Sequence, residues 1–422
     1  MATTAPARPL TAARLLSLPV VSWALYDLAN TIFSMNIVSL YLGLWVVNVM
    51  GGSDATWGYA NSLSMLLVLL TAPLLGALSD QAGRRLPFLL ASTLACVALT
   101  ALLGTPGLAA SLALFVFANY FFQAGLIFYD ATLPAVSTPE NRGRVGGLGI
   151  ALGYVGSFLG VGIGRAFLES HGYVFVFRMT ALLFLLFALP IFLFVPEPRR
   201  ASALRLGRNA TRRAFRQVAE TVRHARRYRG LGRFLLGRAF YADAVNTVII
   251  FMGLYVTNEV GFTTNEAQLV LLVAIATAAA GAYALGHVVD RIGPRRTLHR
   301  VLALWAVALA GAFTIAVAGL PKALFWIVAC LAGIALGGTW AADRPYLLVL
   351  TPPRRVGEFY GLYSLVGRFA AVVGPALWSF VADTLGLGRP AAIATMLLLI
   401  AISYFILRGV DDAPRAWAPE ER

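Results

Sequence analysis

Two short stretches carry the groups with the most chemistry in this chain. One is Trp23-Ala24-Leu25-Tyr26-Asp27-Leu28-Ala29-Asn30-Thr31; the other is Tyr241-Ala242-Asp243-Ala244-Val245-Asn246-Thr247. Both contain Asp-x-x-Asn-Thr, and the copies stand 216 residues apart in a chain of 422. The first copy lies in an apolar run from Leu18 to Val49 with no other charged residue. At about 1.5 Å rise per residue such a run crosses a bilayer, even tilted. Asp27 and Asn30 are three residues apart and share a helix face, which Thr31, Ser34 and Tyr41 continue. A carboxylate at that depth costs on the order of 3 kcal/mol on insertion scales, so it faces a cavity or a partner. In a site of reduced dielectric a carboxyl can exchange a proton near neutral pH. An asparagine one turn away offers two donors and an acceptor, and so can bind either protonation state. The same oxygens could instead hold sodium. A soft metal is disfavoured, because no helical histidine or cysteine stands beside these groups.

The elements that must position these residues follow from composition. Hydrophobic residues make up 59% of the chain and charged residues 13%, with a mean hydropathy of +0.76. A soluble domain carries about a quarter charged residues, so this chain belongs in a membrane. Its apolar runs are far longer than the roughly ten residues of a barrel strand, which predicts helices. Twelve runs fall near 18–49, 56–79, 86–104, 107–130, 145–169, 173–195, 231–258, 264–289, 297–319, 322–346, 358–384 and 390–407. The two cysteines, Cys96 and Cys330, sit inside such runs, which excludes a disulfide framework and predicts buried thiols.

The formal charge of +15 is read through the loops. Arg84 and Arg85, Arg142 and Arg144, Arg291 with Arg295 and Arg296, and Arg354 and Arg355 fall in alternate breaks. The intervening breaks, such as Gly51-Gly52-Ser53-Asp54 and Ser170-His171-Gly172, are nearly free of arginine. By the positive-inside rule both termini are expected in the cytoplasm, and 1–17 is read as a tail before an uncleaved first helix. This predicts a multi-pass inner-membrane protein. The segment 196–230 opens with Pro196-Glu197-Pro198 and is dense in arginine, separating a bundle at 18–195 from one at 231–407; 408–422 is a second tail. Ala214, Phe215, Val218 and Val222 give the linker an amphipathic spacing suited to anionic inner-leaflet lipid. Charge of this kind fixes topology, and a nucleic-acid role is not expected.

The halves match beyond the opening helix. Gly76-Ala77-Leu78-Ser79-Asp80-Gln81-Ala82-Gly83-Arg84-Arg85 is echoed by Gly286 to Arg296, including Asp290, Arg295 and Arg296. Asp130 and Thr138-Pro139 are echoed by Asp343 and Thr351-Pro352 at one common offset of 213. Two six-helix halves in parallel orientation are the design of a rocking secondary transporter, with its site at the interface between the halves.

The Gly-x-x-x-Asp loop signature, present twice, resembles that of the major facilitator superfamily. Within it, Trp23 to Asn30, Gly143 to Gly149, Tyr241 to Ile249 and Glu358 to Leu365 resemble the vacuole-effluxer group, whose bacterial members are called unknown major facilitators. The resemblance runs from Trp23 to about Leu407. It implies an all-α membrane protein of twelve transmembrane helices in two pseudo-symmetric bundles, working by alternating access. Yeast members are associated with release of amino acids from the vacuole, so the resemblance implies a small polar, amino-acid-like solute. It also implies that helices 1, 4, 7 and 10 line a central cavity, and each carries one aspartate: Asp27, Asp130, Asp243 and Asp343. Asp80 with Arg84 and Arg85, and Asp290 with Arg295 and Arg296, are implied as conformational latches at the cytoplasmic side.

Asp27 sits nine residues, about 14 Å, into its helix and Asp243 twelve, about 18 Å, into its own; both are the expected transport groups, with Asn30 and Asn246 beside them. Asn119, Gln123 and Asp130 form a polar stripe on the fourth helix that should face inward. Asp130 and Asp343 near their helix ends could equally serve as gate ion pairs. Trp23, Tyr26, Tyr41, Tyr241, Tyr255 and Trp340 are candidate ligand-stacking rings, with packing as the plainer role. Arg368, deep in the eleventh run, needs an acidic partner, for which Asp343 is the candidate. Protons are the expected coupling ion and sodium the alternative; no cofactor is expected, and the chain is expected to be a monomer. A cation-coupled sugar symporter, a lipid or lysolipid carrier and a metal-ion carrier are the competing readings. No nucleophile–base pair, phosphate loop or metal cluster supports an enzyme.

Overall fold

The computed structural model describes residues 17–82, 84–105, 107–137, 142–197, 228, 230–352 and 356–411. The expected amphipathic linker helix and most of both tails fall outside these residues. Among the described residues the chain is helical, with no strand. The first helical arms are α1 (Leu18–Val49), α2 (Asp54–Ala82), α3 (Leu86–Ala101) and α4 (Leu108–Asp130). The run Arg142–Phe194 follows; it is broken at Gly172, and its arms before and after the break are α5 and α6. Beyond the linker come α7 (Leu231–Asn258), α8 (Thr264–Ile292), α9 (Pro294–Val317), α10 (Phe325–Leu350), α11 (Val356–Ser379) and α12 (Gly388–Arg408).

Nine segments among the described residues are long and apolar enough to cross a membrane. That number treats α5 and α6 as one span, leaves out α2, and sets aside α3 as shorter at 16 residues. The expected twelve is reached only by dividing the long run at Gly172 and adding these two. The division has a physical basis, since Gly172 has φ 76° and ψ 177°, a conformation that a β-carbon disfavours. Local chemistry sets several other ends. Pro19, Pro87 and Pro294 occupy first turns, where the missing N–H is no loss. Thr263 and Glu266 form a reciprocal capping box on α8. Toward its far end α1 loosens into π-helix over Ser34–Leu40 and Trp45–Val49, and α11 continues as π-helix over Phe380–Thr384.

Packing repeats between the halves. In the first, α1 lies on the α5–α6 run, and α4 is flanked by α2 and α3. In the second, α7 lies against α11 and α12, and α10 is flanked by α8 and α9. Buried side-chain hydrogen bonds pin each bundle: Asn36 Nδ2 donates to Thr180 Oγ1 at 2.8 Å, and Trp305 Nε1 to Thr339 Oγ1 at 3.0 Å. Between the halves, α2 meets α11, α8 meets the α5–α6 run, and the outer part of α1 meets α7.

These cross-half contacts concentrate at the arginine-poor end. Asp54 at the start of α2 is fully buried and accepts from Trp378 Nε1 at 2.9 Å and from Arg389 Nε and Nη2 at 2.9 and 2.8 Å. Arg389 also reaches Glu259 Oε1 at 3.2 Å, and Asn258 Nδ2 donates to Asn48 Oδ1 at 2.9 Å. Asn265 donates to Glu169, and the Ala55 N–H to Asp383. Backbones touch here as well. A β-carbon on Gly58 would lie 2.7 Å from the Pro375 carbonyl and 2.9 Å from Phe251, and one on Gly253 would lie 3.0 Å from Leu40. The arginine-poor end is closed.

Candidate functional site

The polar stripe of α4 shows where the molecule opens. Asn119, Gln123 and Asp130 do share a face, but their surroundings change along it. Asn119 is fully buried and donates to Ser64 Oγ of α2 at 2.6 Å; Gln123 is half-buried; Asp130 is exposed. Helix α10 repeats the gradient: Gly333 and Gly337 are buried, Trp340 is 37% exposed, and Arg344 is exposed. The two halves part toward the arginine-rich end. Asn119 is placed against a neighbouring helix and not in the shared cleft.

Asp27 and Asp243 occupy equivalent places. Thr31 Oγ1 donates to the Asp27 carbonyl at 2.9 Å, and Thr247 Oγ1 to the Asp243 carbonyl at 2.7 Å. Each carboxyl is pressed against a glycine of the helix packed beside it. A β-carbon on Gly149 would lie 2.6 Å from Asp27 Oδ2, and one on Gly374 would lie 2.7 Å from Asp243 Oδ1. Asp27 is half-buried, with the Tyr129 hydroxyl beside it, whereas Asp243 is 5% exposed and its Oδ1 has no hydrogen bond. Neither makes an ion pair among the described residues. Asn30 is buried with its Nδ2 unpartnered, and Asn246 is half-buried. The close fit gives an expected result. Gly374→Ala would also overlap Thr247 Oγ1 and should destabilise the protein by about 1–3 kcal/mol, as overpacking does. Gly361→Ala on the same helix, with open space around it, should leave the melting temperature in detergent unchanged.

Asp343 is placed differently from its counterpart Asp130. It is fully buried, and its Oδ2 accepts from Arg238 Nη1 at 2.7 Å, Tyr363 Oη at 2.7 Å and Tyr241 Oη at 3.3 Å. The Arg238 guanidinium lies 3.4 Å from the centre of the Tyr363 ring. The expected Arg368–Asp343 pair is therefore corrected: Arg238 of α7 holds Asp343. Arg368 instead faces Asp130 across the cleft, as does Arg344. Arg238, Tyr363, Arg344 and the Asp54–Arg389 pair were not singled out from the sequence. Arg238 had a usable signal, being a charge inside an apolar run five residues before Asp243.

Of the candidate rings, Tyr26, Tyr41, Tyr241 and Tyr255 are fully buried, and Trp23 stacks on Tyr129 at 4.8 Å. Trp340 alone of the six is exposed. At the latch loops the Asp80 side chain lies outside the described residues, and Arg84 and Asp290 are exposed. Arg296 and Arg291 are exposed as well. Arg85 donates to the Ala131 carbonyl, and Glu197 caps the start of α3 by accepting from the Leu86 N–H at 3.0 Å. Arg295 donates to the Arg408 carbonyl at 2.8 Å and lies 3.9 Å from Asp411. These arginines tie helix ends within their own halves.

Comparison with known proteins agrees with this architecture. The model of the family described as "Vacuole effluxer Atg22 like" matches residues 52–413. The MFS-type transporter YxiO of Bacillus subtilis (strain 168) is 25% identical over 412 residues, covering 93% of this chain and 94% of that protein. Autophagy-related protein 22 of Coccidioides immitis (strain RS) is 26% identical over 63% of this chain and 48% of its own length. Among solved structures, a D323A mutant of the nucleoside transporter NupG superposes with a TM-score of 0.71 at 12% identity, covering 93% of this chain and 99% of that one. A bacterial homologue of the human lysosomal transporter Spinster, inward-facing and unoccupied, gives 0.69 at 16% identity over 95% and 98%. These structural likenesses show the fold.

Proposed function

Since the chain belongs to the Atg22-like vacuole effluxer family, whose relatives are MFS-type transporters and not enzymes, we propose that it moves a small polar, amino-acid-like solute by alternating access, coupled to protons at Asp27 and Asp243. One observation carries the reading. Two carboxyls at membrane depth, at equivalent places in duplicated halves, have no cationic partner among the described residues. Such groups are expensive in a bilayer unless they serve transport. Each stands next to an asparagine able to bind a protonated or an ionised carboxyl. Proton loss on one side of the membrane and gain on the other would then bias the two conformations by their differential affinity for the proton. With the arginine-rich loops placed in the cytoplasm, the cleft between the halves opens inward and the closed end faces outward.

The test is uptake of a labelled amino-acid mixture into proteoliposomes under an imposed pH gradient, with a sodium gradient as the second arm. Wild-type protein should concentrate label only with the proton gradient. Asp27→Asn and Asp243→Asn should each abolish the gradient-driven component while leaving exchange of label at equal pH. Gradient-driven uptake that persists in both variants would remove the coupling assignment, and uptake driven only by sodium would replace the ion.

A further inference from the structure

Arginine is rare at membrane depth and is normally paired there, because an unpaired guanidinium keeps its full desolvation penalty. Two arginines of this chain obey that rule visibly. Arg238 is held by Asp343, and Arg389 by Asp54 and Glu259. Two others do not. Arg344 on α10 and Arg368 on α11, twelve residues or about 18 Å into its helix, make no hydrogen bond or ion pair among the described residues. The Nη1 of Arg368 is buried without a partner, while Arg344 is exposed in the cleft. The carboxylate next in sequence to Arg344 is turned to other donors, since Asp343 accepts three bonds at Oδ2 while its Oδ1 is buried without a hydrogen bond. Asp130 stands opposite, within electrostatic reach of both arginines but in contact with neither. Asp27 stands within the same reach of Arg344. The first half therefore presents carboxyls to the cleft, and the second presents guanidinium donors that no described side chain holds.

We propose that Arg344 and Arg368 form the recognition site for an anionic group, carboxylate or phosphate, on the transported solute. This rests on the transporter reading above. A guanidinium offers a planar fork of donors that matches both groups, and two forks that both stand within electrostatic reach of Asp130 can bind one anion from two directions. Trp340, one turn from Arg344 on the same face and 37% exposed, supplies a flat surface beside the anion for the rest of the solute. Asp130 competes for the same donors, so solute and Asp130 cannot both occupy them. Solute entry would then release the cross-half attraction that Asp130 exerts on α10 and α11.

The experiment uses full-length protein in detergent and matched probes at equal ionic strength: leucine against leucinamide for the carboxylate, glycerol 3-phosphate against glycerol for the phosphate. A solute that binds only the folded state raises the melting temperature by mass action. The expected result is that one member bearing the carboxylate or phosphate, and not its match without that group, stabilises the wild type, which also identifies the source of the anion. Arg344→Gln and Arg368→Gln should each weaken that apparent affinity by about tenfold or more, as loss of a charge-assisted bond does. Asp130→Asn should keep or strengthen it. Should Arg368→Gln fail to fold, Arg368→Lys serves, with a smaller loss expected because the fork is gone. No preference for either anion-bearing member over its match without that group, or a preference unchanged in all the arginine variants, would overturn the proposal. The two readings fail separately. Proton-driven uptake that survives in Arg344→Gln and Arg368→Gln would sink the anion site alone. Anion binding that persists while uptake ignores the pH gradient would sink the coupling alone.

Discussion

Arg238→Met is expected to lower the unfolding free energy of the purified protein by about 3–5 kcal/mol, the cost of breaking a buried pair. Methionine fills much of the arginine's volume, so the loss is electrostatic. Asp343 would keep its carboxylate fully buried with only two tyrosine hydroxyls at 2.7 and 3.3 Å to hold it. The stacked contact with Tyr363 would go as well. Combining Arg238→Met with Asp343→Asn should recover most of the loss, because a buried pair replaced by neutral groups is often no worse than the pair itself. Tyr363→Phe alone should cost about 1.5–3 kcal/mol, the range for a hydrogen bond to a charged group. The measurement is the unfolding midpoint in detergent for the four proteins. A double variant no more stable than Arg238→Met would show that the aspartate and arginine contribute independently, and the pair would lose its meaning.

Arg389→Met is expected to shift the conformational balance more than the stability. Arg389 belongs to the second half, and its strongest partner, Asp54, belongs to the first. The bond therefore exists only while the arginine-poor end is closed. Removing it leaves Asp54 buried and unpaired by arginine in that state, a penalty of about 2–3 kcal/mol, while the state opened at that end lets water reach the carboxylate. That difference corresponds to roughly a thirty- to hundred-and-fiftyfold change in the ratio of the two states. A cysteine introduced at Ser53 should then react with a membrane-impermeant maleimide at least about tenfold faster in Arg389→Met than in the parent. Cys96 is buried and would contribute little background, and the half-buried Cys330 is replaced by alanine in both proteins. Equal labelling rates would mean that the closed end is held by packing and not by this clasp.

The sequence made the repeated architecture readable because duplication leaves a signal that does not depend on neighbours. The Asp-x-x-Asn-Thr copies, the common offset of the Asp130 and Asp343 loops, and the alternation of arginine-rich breaks all survive as spacing. What spacing cannot supply is the identity of the neighbouring helix. The stripe Asn119–Gln123–Asp130 was legible as one polar face, yet α2 covers one end of it and the other is exposed among the described residues. Arg368 was legible as a charge in need of a partner, but Asp343 had already been taken by Arg238 from a helix about a hundred residues earlier in the chain. Asp54 stood only as the last residue of an arginine-poor break, because its partner, Arg389, lies 335 residues away. In each case the missing information was tertiary.

The glycines at the arginine-poor end carry a consequence for energy conservation in the host membrane. Where Gly58 meets the Pro375 carbonyl and Gly253 meets Leu40, the halves touch without room for a methyl group, so neither contact can hold a water of a continuous file. A proton conductor needs such a file. On the proton-coupled reading proposed above, contacts of this kind oppose a leak while the molecule idles in this shape, and the ion gradient would be drawn down when the whole molecule turns over with its load.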